Sequence, residues 1–261
     1  MKRSTQRRLR HGALYALLAG AVVALILLAD WHAIRTNFFD RQVFGEIWPS
    51  VVTESAKNTV LYTAIAFSGG LVLALALALM KLSPVAPYRW LATSYIEFFR
   101  GLPVLIVIIA FAFAVPIAFS WIPPGGPRGA AIIALIAVAG AYMAETLRAG
   151  IQAVPKGQIE AARSLGMSGS RTMISIVLPQ AVRIVIPPLT NEFVLLLKDT
   201  SLIQVAGIGM GQRELTNFAS DSLNQYSNST PLIAAAVLYL AITLPLTRLV
   251  AYLERRTQKA R

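Results

Sequence analysis

The sequence contains no cysteine, which excludes disulfide bonds, thiolate metal sites and thiol catalysis. Charged side chains are also scarce: they make up 14% of the 261 residues, whereas a soluble domain carries roughly 25%. Acidic residues are the scarcer sign, with 12 against 24 lysines and arginines, and the formal net charge is +12. Because 56% of the residues are hydrophobic, these shortages indicate a chain that lies in a lipid bilayer.

Motifs of a catalytic or nucleotide-binding site are missing as well. The phosphate-binding loop GxxxxGKS/T does not occur, and neither do HExxH, GxSxG or a cysteine–histidine pair. His11 and His32 are isolated in the sequence, so we expect neither a metal site nor a catalytic role for them. The chain is therefore not expected to be an enzyme on its own.

The apolar runs predict six membrane crossings, since about 20 helical residues are needed to cross the hydrocarbon core. The third run is too long for one straight crossing, so we expect it to begin at the interface and to enter the bilayer near Pro103. Residues 122–127 are rich in proline and glycine and must form a turn. We expect prolines to interrupt the fifth run. The runs are 13–29, 58–80, 90–121, 129–143, 174–205 and 231–253, and the interrupting prolines are Pro179, Pro187 and Pro188.

The first run has an alternative interpretation as a cleaved signal peptide. Its apolar part is long for a signal peptide, and the bulky residues 30–32 follow where small side chains would be needed. We therefore expect a retained membrane anchor. Residues 30–57 mix aromatic rings with charges, and aromatic rings favour the headgroup level of a bilayer.

The number of lysines and arginines alternates between high and low in successive connections, and this alternation predicts the orientation of the chain. The leader holds five of them, the 81–100 connection three and the 144–172 connection four, and the tail after residue 254 adds four more. The connections expected on the other side, 30–57, 122–128 and 206–229, hold three, one and one. Basic residues collect in cytoplasmic loops, so both termini should face the cytoplasm.

The connection between the fourth and fifth runs predicts a short helix–turn–helix that projects from the membrane. Pro155 suits a first helical turn, and Gly166 suits the position after a helix end where φ is positive. Ser168 or Ser170 can cap the next helix, and Glu160 is expected near the positive end of the short helix. Its surface of Ala161, Ala162 and Leu165 is small enough to enter a groove on a partner protein, although an amphipathic linker lying on the membrane has the same pattern.

At this segment the sequence resembles a known family. Glu160-Ala161-Ala162, three residues, Gly166, nine residues, Ile176, one residue and Leu178-Pro179 match the EAA motif of ATP-binding-cassette (ABC) importer permeases. Further motifs resemble the polar amino acid branch, of the histidine, glutamine, glutamate and arginine type, over about residues 55 to 255. Leu102 departs from the family, which more often has threonine there, and the N-terminal span is an addition to a five-helix core. The further motifs lie at 95–103, 141–150, 178–183, 188–193 and 197–202.

The resemblance implies an all-α integral membrane fold with six transmembrane helices: a five-helix type I importer core and one extra N-terminal helix. It also implies a division of the chain into four parts. These are a basic cytoplasmic leader (1–12), the extra helix with an interfacial segment (13–54), the permease domain (55–255) with a coupling helix at about 155–171, and a cytoplasmic tail (256–261).

The same resemblance implies a subunit that moves polar amino acids across the bacterial inner membrane by alternating access, with glutamate, aspartate or glutamine favoured. Its partners would be two cytoplasmic ATPase subunits, a second permease and a periplasmic or lipid-anchored binding protein. No cofactor is expected in this chain, since ATP and magnesium would be bound by the ATPase. The basic termini would face anionic lipid and not nucleic acid. Contact with the ATPase is expected at Gly157, Glu160, Ala161, Ala162, Leu165 and Gly166.

Polar residues of the fifth run are the candidates for a substrate pathway or gate. Ionisable groups inside a membrane cost several kcal/mol unless they are paired or hydrated, and they mark pathways by default. Residues seven apart share a helical face, so four of the candidates should project together and present both charges to an amino acid zwitterion. A structural Glu192–Lys198–Asp199 network is the alternative. The candidates are Asn191, Glu192, Lys198, Asp199, Thr200 and Ser201.

Two other classes of protein remain possible from the residues alone. An ion-coupled secondary transporter or channel would use the same acidic residues to relay protons. A membrane scaffold would need no substrate at all. Association with an ATPase separates the importer from both.

Overall fold

We analysed a computed structural model that describes residues 2–259, with side chains described for residues 11–256. The described residues form helices joined by short connections and contain no strand. Five helical segments are long and apolar enough to cross a bilayer, and a bent pair, Ala86–Gly101 with Val104–Phe119, provides a sixth. The fold is the expected all-α membrane fold with six transmembrane segments.

Thirteen α-helices make up this part of the chain. Wider π-helical turns join some of them, at Val51–Ala56, Ala110–Ala114 and Met173–Val177, and a 3₁₀ turn covers Thr200–Ala206. The helices are α1 (Lys2–Leu28), α2 (Trp31–Phe38), α3 (Arg41–Ser50), α4 (Lys57–Leu82), α5 (Ala86–Gly101), α6 (Val104–Ile109), α7 (Val115–Phe119), α8 (Gly126–Gln152), α9 (Lys156–Ser164), α10 (Gly169–Thr172), α11 (Leu178–Asp199), α12 (Leu215–Tyr226) and α13 (Thr230–Lys259).

The connections lie at two ends of the helical bundle. Residues 83–85 and 153–168 lie at one end, which we call the basic face, and residues 30–56, 120–125 and 207–229 lie at the other, the opposite face. Helix α1 ends at the opposite face, and none of the side chains in its span His11–Leu28 is buried by the rest of the chain. The buried core therefore belongs to the helices that follow it.

Small residues let α4 and α8 approach each other closely. A Cβ atom on Gly70 would lie 2.7 Å from Met143 Cε and 3.1 Å from Ala139 Cβ. Gly140 on α8 is equally crowded, since its Cβ would lie 2.7 Å from Leu73 Cδ2. Close approach through small residues is how helices gain contact in a membrane, where lipid is as apolar as the side chains. Gly69 is crowded as well, since its Cβ would lie 2.7 Å from Ile136 Cδ1.

The third apolar run is broken where the sequence predicted. Helix α5 ends at Gly101, and α6 begins at Val104 after a bend of 106°. Pro103 has no backbone N–H and fixes its own φ, so the helix cannot continue through it. The chain therefore reverses from an interfacial helix into the bundle at this residue.

The fifth run differs from the prediction that its prolines interrupt it. Helix α11 runs without a break from Leu178 to Asp199, through Pro187 and Pro188. Pro187 is buried against neighbouring helices, and packing of this kind tolerates proline inside a membrane helix. Within this run the helix is wider only before Pro179, in the π-helical turn Met173–Val177. The extra residue of this turn makes room for the proline ring.

The fourth run is longer than the predicted 129–143, because α8 continues to Gln152. Glu145 explains the extension: its carboxylate accepts a hydrogen bond of 2.9 Å from Lys81 Nζ on α4 and pairs with Arg148 one turn further along α8. Charged residues were expected to end the apolar run, but here the opposite charges pair and the helix continues.

At the opposite face, α4 holds the segment that leads into α12. Asn58 Nδ2 donates to the carbonyl of Arg213 (3.1 Å), and Tyr62 Oη donates to that of Gln212 (2.8 Å). The Leu215 amide donates to Thr59 Oγ1 (3.1 Å). Three positions in the first two turns of α4 therefore fix this connection.

The carboxylate of Glu214 caps α12 from a fully buried position. It accepts bonds of 2.6 Å from the backbone amides of Thr216 and Asn217 and a longer one of 3.1 Å from Tyr239 Oη. Burial disfavours the charged form and raises the pKa of Glu214 to about 7, although these donors act in the other direction.

We expect the thermal stability of the protein to fall as the pH rises from 4.5, the usual pKa of this carboxyl, to about 7. In that interval the folded chain keeps a proton on Glu214 that the unfolded chain has lost, so higher pH favours unfolding. Melting temperatures in detergent across this interval test the effect against Glu214→Gln. An equal slope in both proteins would contradict it.

We also expect Gly70→Leu to separate α4 from α8 and to lower stability by about 1–3 kcal/mol, the usual cost of overpacking. Gly45→Leu is the matched control, because a Cβ atom on Gly45 meets nothing within 4 Å. Thermal unfolding of the purified variants measures both. Equal stability of the two variants would show that the α4–α8 contact is not tight.

Candidate translocation cavity and docking helix

A cavity of about 270 Å³ lies between α6, α8 and α11. Two carboxylates from α11 line it, those of Glu192 and Asp199, and Tyr142 of α8 contributes the phenol ring. Apolar side chains form the rest of the wall: Val104, Leu135, Val138, Ala139, Leu195 and Leu196. A small, mostly apolar cavity with a few polar groups is the usual form of a small-molecule site.

The structure separates the polar residues of α11 that were expected on one face. Glu192 and Asp199 are half-buried in the cavity wall, whereas Asn191 and Lys198 are exposed and do not line it. One helical step turns a side chain by about 100°, so neighbouring positions diverge although each seven-residue pair stays aligned. This cavity therefore holds the two carboxylates without Lys198, and a pathway lined by all four residues stays a prediction.

The alternative of a structural Glu192–Lys198–Asp199 network stays a prediction. Among the described side chains, no ion pair joins Glu192, Lys198 or Asp199 to each other. The two cavity carboxylates are therefore available to an incoming group.

Thr200 and Ser201 lie outside the cavity wall. Thr200 is fully buried, and its Oγ1 donates to the carbonyl of Leu197 at 2.6 Å, which closes the C-terminal end of α11. Ser201 is half-buried in the 3₁₀ turn that follows. These positions support the helix that carries Asp199 more directly than they offer a ligand contact.

Tyr142 is a cavity residue that sequence reasoning did not single out. Its ring lies between the cavity and Arg100, whose guanidinium carbon is 5.4 Å from the ring centroid. Such a distance allows a cation–π contact. The only signal in the sequence was that Tyr142 falls within the 141–150 motif, next to the residues that pair at Glu145.

Helix α9 projects at the basic face, as expected. Pro155 precedes its first residue, and Gly166 follows it with φ of +81°, a conformation that favours glycine. Ser168 caps α10 by accepting from the Arg171 amide at 3.3 Å. Gln180 of α11 donates to Gln158, which ties the projecting helix to the membrane helix behind it.

The exposed surface of α9 differs from the predicted alanine surface at one position. Ala162 is buried against the chain itself and cannot contact a partner, because the helix rests on its own α10–α11 segment along that side. Leu165 is 85% exposed, and Gly157, Glu160, Ala161 and Gly166 are exposed as well. Glu160 is the fifth residue of α9 and lies past its first turn.

No site for a metal ion is evident. Among the described residues, no three histidine, aspartate or glutamate side chains lie close enough together to hold one. The acidic groups of the cavity are two, and both come from the same helix.

The fold and the cavity define a multi-pass membrane permease, and three comparisons identify its family. Residues 70–259 match the family described as binding-protein-dependent transport system inner membrane component. A probable glutamine ABC transporter permease of Bacillus subtilis (strain 168) is 40% identical over 217 residues, which cover 81% of this chain and 95% of that protein. An L-cystine permease of the same organism is 35% identical, over 88% of this chain and 92% of its own length.

A solved structure described as an amino acid ABC transporter with histidines matches with a TM-score of 0.74 and 34% identity. The match covers 83% of this chain and 98% of that one. The chain therefore belongs to the binding-protein-dependent transport system inner membrane component family. It is a permease subunit of an amino acid ABC importer with the type I fold, and the resemblance noted in its motifs is confirmed.

Proposed function

We propose that this permease carries a neutral polar amino acid, with glutamine favoured, and that the α-ammonium group of the substrate binds between Glu192 and Asp199. The observation that carries the proposal is that both carboxylates line one small apolar cavity. Two negative groups attract an ammonium group in a low-dielectric wall, and they repel an acidic side chain. Glutamine therefore fits better than the glutamate or aspartate that the sequence equally favoured.

In this proposal, ATP hydrolysis by separate subunits drives transport. Two ATPase subunits bind ATP and magnesium, and each receives the α9 helix of one permease in a groove. The chain itself needs no cofactor and is not an enzyme. A second permease, identical or related, completes the pathway, and a binding protein supplies the amino acid.

The exposed surface of α9 supports the docking proposal. Leu165 leaves 85% of its surface open although it follows a helix of only nine residues, and Glu160 and Ala161 lie exposed beside it. Because α9 lies between α8 and α11, both of which line the cavity, a push on α9 reaches both cavity walls as a rigid-body motion.

The basic face is cytoplasmic in this proposal, and both termini lie there. The larger number of lysines and arginines in its connections supports that orientation. The permease domain then covers residues 55–255, preceded by the extra helix and its interfacial segment.

We expect Glu192→Gln to raise the KM for glutamine uptake about ten-fold, since a hydrogen bond to a charged group contributes about 1.5–3 kcal/mol. Lys198→Gln, on the exposed side of the same helix, should leave it unchanged. Uptake by proteoliposomes that contain the permease, its ATPase and its binding protein measures both. Equal KM values in the two variants would show that the substrate does not bind in this cavity.

We expect Glu160→Lys to abolish amino-acid-stimulated ATP hydrolysis, because it reverses a charge on the exposed surface of α9. Ser170→Lys adds a charge beyond the turn and should leave hydrolysis intact. Normal assembly and transport by Glu160→Lys would refute the docking role. Uptake by the chain alone under an ion gradient would instead support the rival ion-coupled transporter.

A further inference from the structure

An aromatic groove lies at the opposite face, away from the translocation cavity. It has a volume of about 490 Å³ and runs between the α2–α3 segment and the start of α13. Phe44 and Trp48 stack along one wall with ring centroids 5.0 Å apart. The other lining residues are Phe38, Phe39, Asp40, Arg41, Thr230, Ile233, Ala234 and Val237.

Hydrogen bonds fix the groove to the end of a membrane-spanning helix. The Ser229 amide donates to the carbonyl of Asn37 at 2.7 Å, and the Asp40 amide donates to Thr230 Oγ1 at 3.0 Å. Thr230 is the first residue of α13, which spans the membrane from there. One end of the groove therefore lies at the membrane boundary, and its Ile233–Val237 end reaches into the hydrocarbon.

The aromatic rings match that depth. Phe38, Phe44 and Trp48 each leave at least 40% of their surface uncovered. Aromatic rings collect where the headgroups meet the acyl chains. A groove with these walls is open to lipid from the side.

Arg41 lines the groove, and the carboxylates described near it bind other groups. Asp30 and Asp40 accept from the backbone amides at the starts of α2 and α3, and Glu54 faces Arg213 at 3.7 Å. Glu46 accepts from Gln42. Among the described side chains, none of these carboxylates pairs with Arg41, which lines the groove.

We propose that this groove is a binding site for an anionic phospholipid. The phosphate of the lipid pairs with Arg41, and an acyl chain lies along Ile233 and Val237 against the Phe44–Trp48 stack. The guanidinium offers paired N–H donors to phosphate oxygens, and the apolar floor continues directly from it into the hydrocarbon region. The guanidinium lies at the level of a lipid phosphate, and the apolar part of the groove lies at the level of its acyl chain. One phospholipid molecule therefore matches both parts.

Quenching of Trp48 fluorescence by brominated lipids tests the site. The sequence has four tryptophans, so the test protein carries Trp31→Phe, Trp90→Phe and Trp121→Phe. It is reconstituted in nanodiscs that contain either brominated phosphatidylglycerol or brominated phosphatidylcholine as a minor component. A control protein that keeps only Trp90, which is 70% exposed on α5, reports on lipid elsewhere on the surface.

We expect the anionic lipid to quench Trp48 with about five-fold higher apparent affinity than the zwitterionic one, the effect of about 1 kcal/mol for one basic residue near anionic lipid. Arg41→Gln should remove the preference, and Arg35→Gln, which neutralises an arginine of α2 outside the groove, should keep it. The Trp90 control should show no comparable preference.

Three results would overturn the proposal. Equal quenching of Trp48 by both lipids would show no selection for an anionic head. A preference that survives Arg41→Gln would place the phosphate elsewhere. The absence of quenching by either lipid, with Trp90 quenched normally, would show that protein and not lipid fills the groove.

Discussion

The close approach of α4 and α8 is the contact on which the rest of the structure depends. Ile136 and Met143 of α8 pack against Gly69 and Gly70 of α4, and Leu73 of α4 packs against Gly140 of α8. Each glycine therefore leaves room for a side chain of the other helix. In lipid, burial of apolar surface gives little reason for helices to associate, so van der Waals contact over a long interface must supply the energy. Small residues make that interface possible.

This contact also positions both functional elements. Helix α8 lines the cavity through Leu135, Val138 and Tyr142, and it continues to Gln152, just before the projecting helix α9. The ion pair of Glu145 with Lys81 joins the last turns of α8 to α4. The wall of the cavity and the base of α9 are therefore parts of one rigid unit.

Sequence reasoning recovered what depends on local chemistry. Pro103 marked the sharp bend, Gly166 marked the end of α9, and the apolar runs marked the six spans, because each follows from backbone limits or from the thickness of the bilayer. It failed where the tertiary environment decides. Pro187 and Pro188 do not break α11, since neighbouring helices support it, and Ala162 faces its own chain. Tyr142 lines the cavity, and its neighbours in the sequence gave no indication of that position.

The acidic side chains of α11 line the cavity, whereas the lysine of the same helix lies on its exposed side. Asp199 is the last residue of α11 and Glu192 lies seven positions earlier, so the pair spans nearly two turns along one cavity wall. Lys198 lies on the exposed side of α11 and forms no ion pair with either carboxylate among the described side chains. Two unpaired carboxylates are costly in a membrane and persist only where water or a cationic group reaches them. A cationic group that reached Glu192 and Asp199 would therefore stabilise this wall of the cavity.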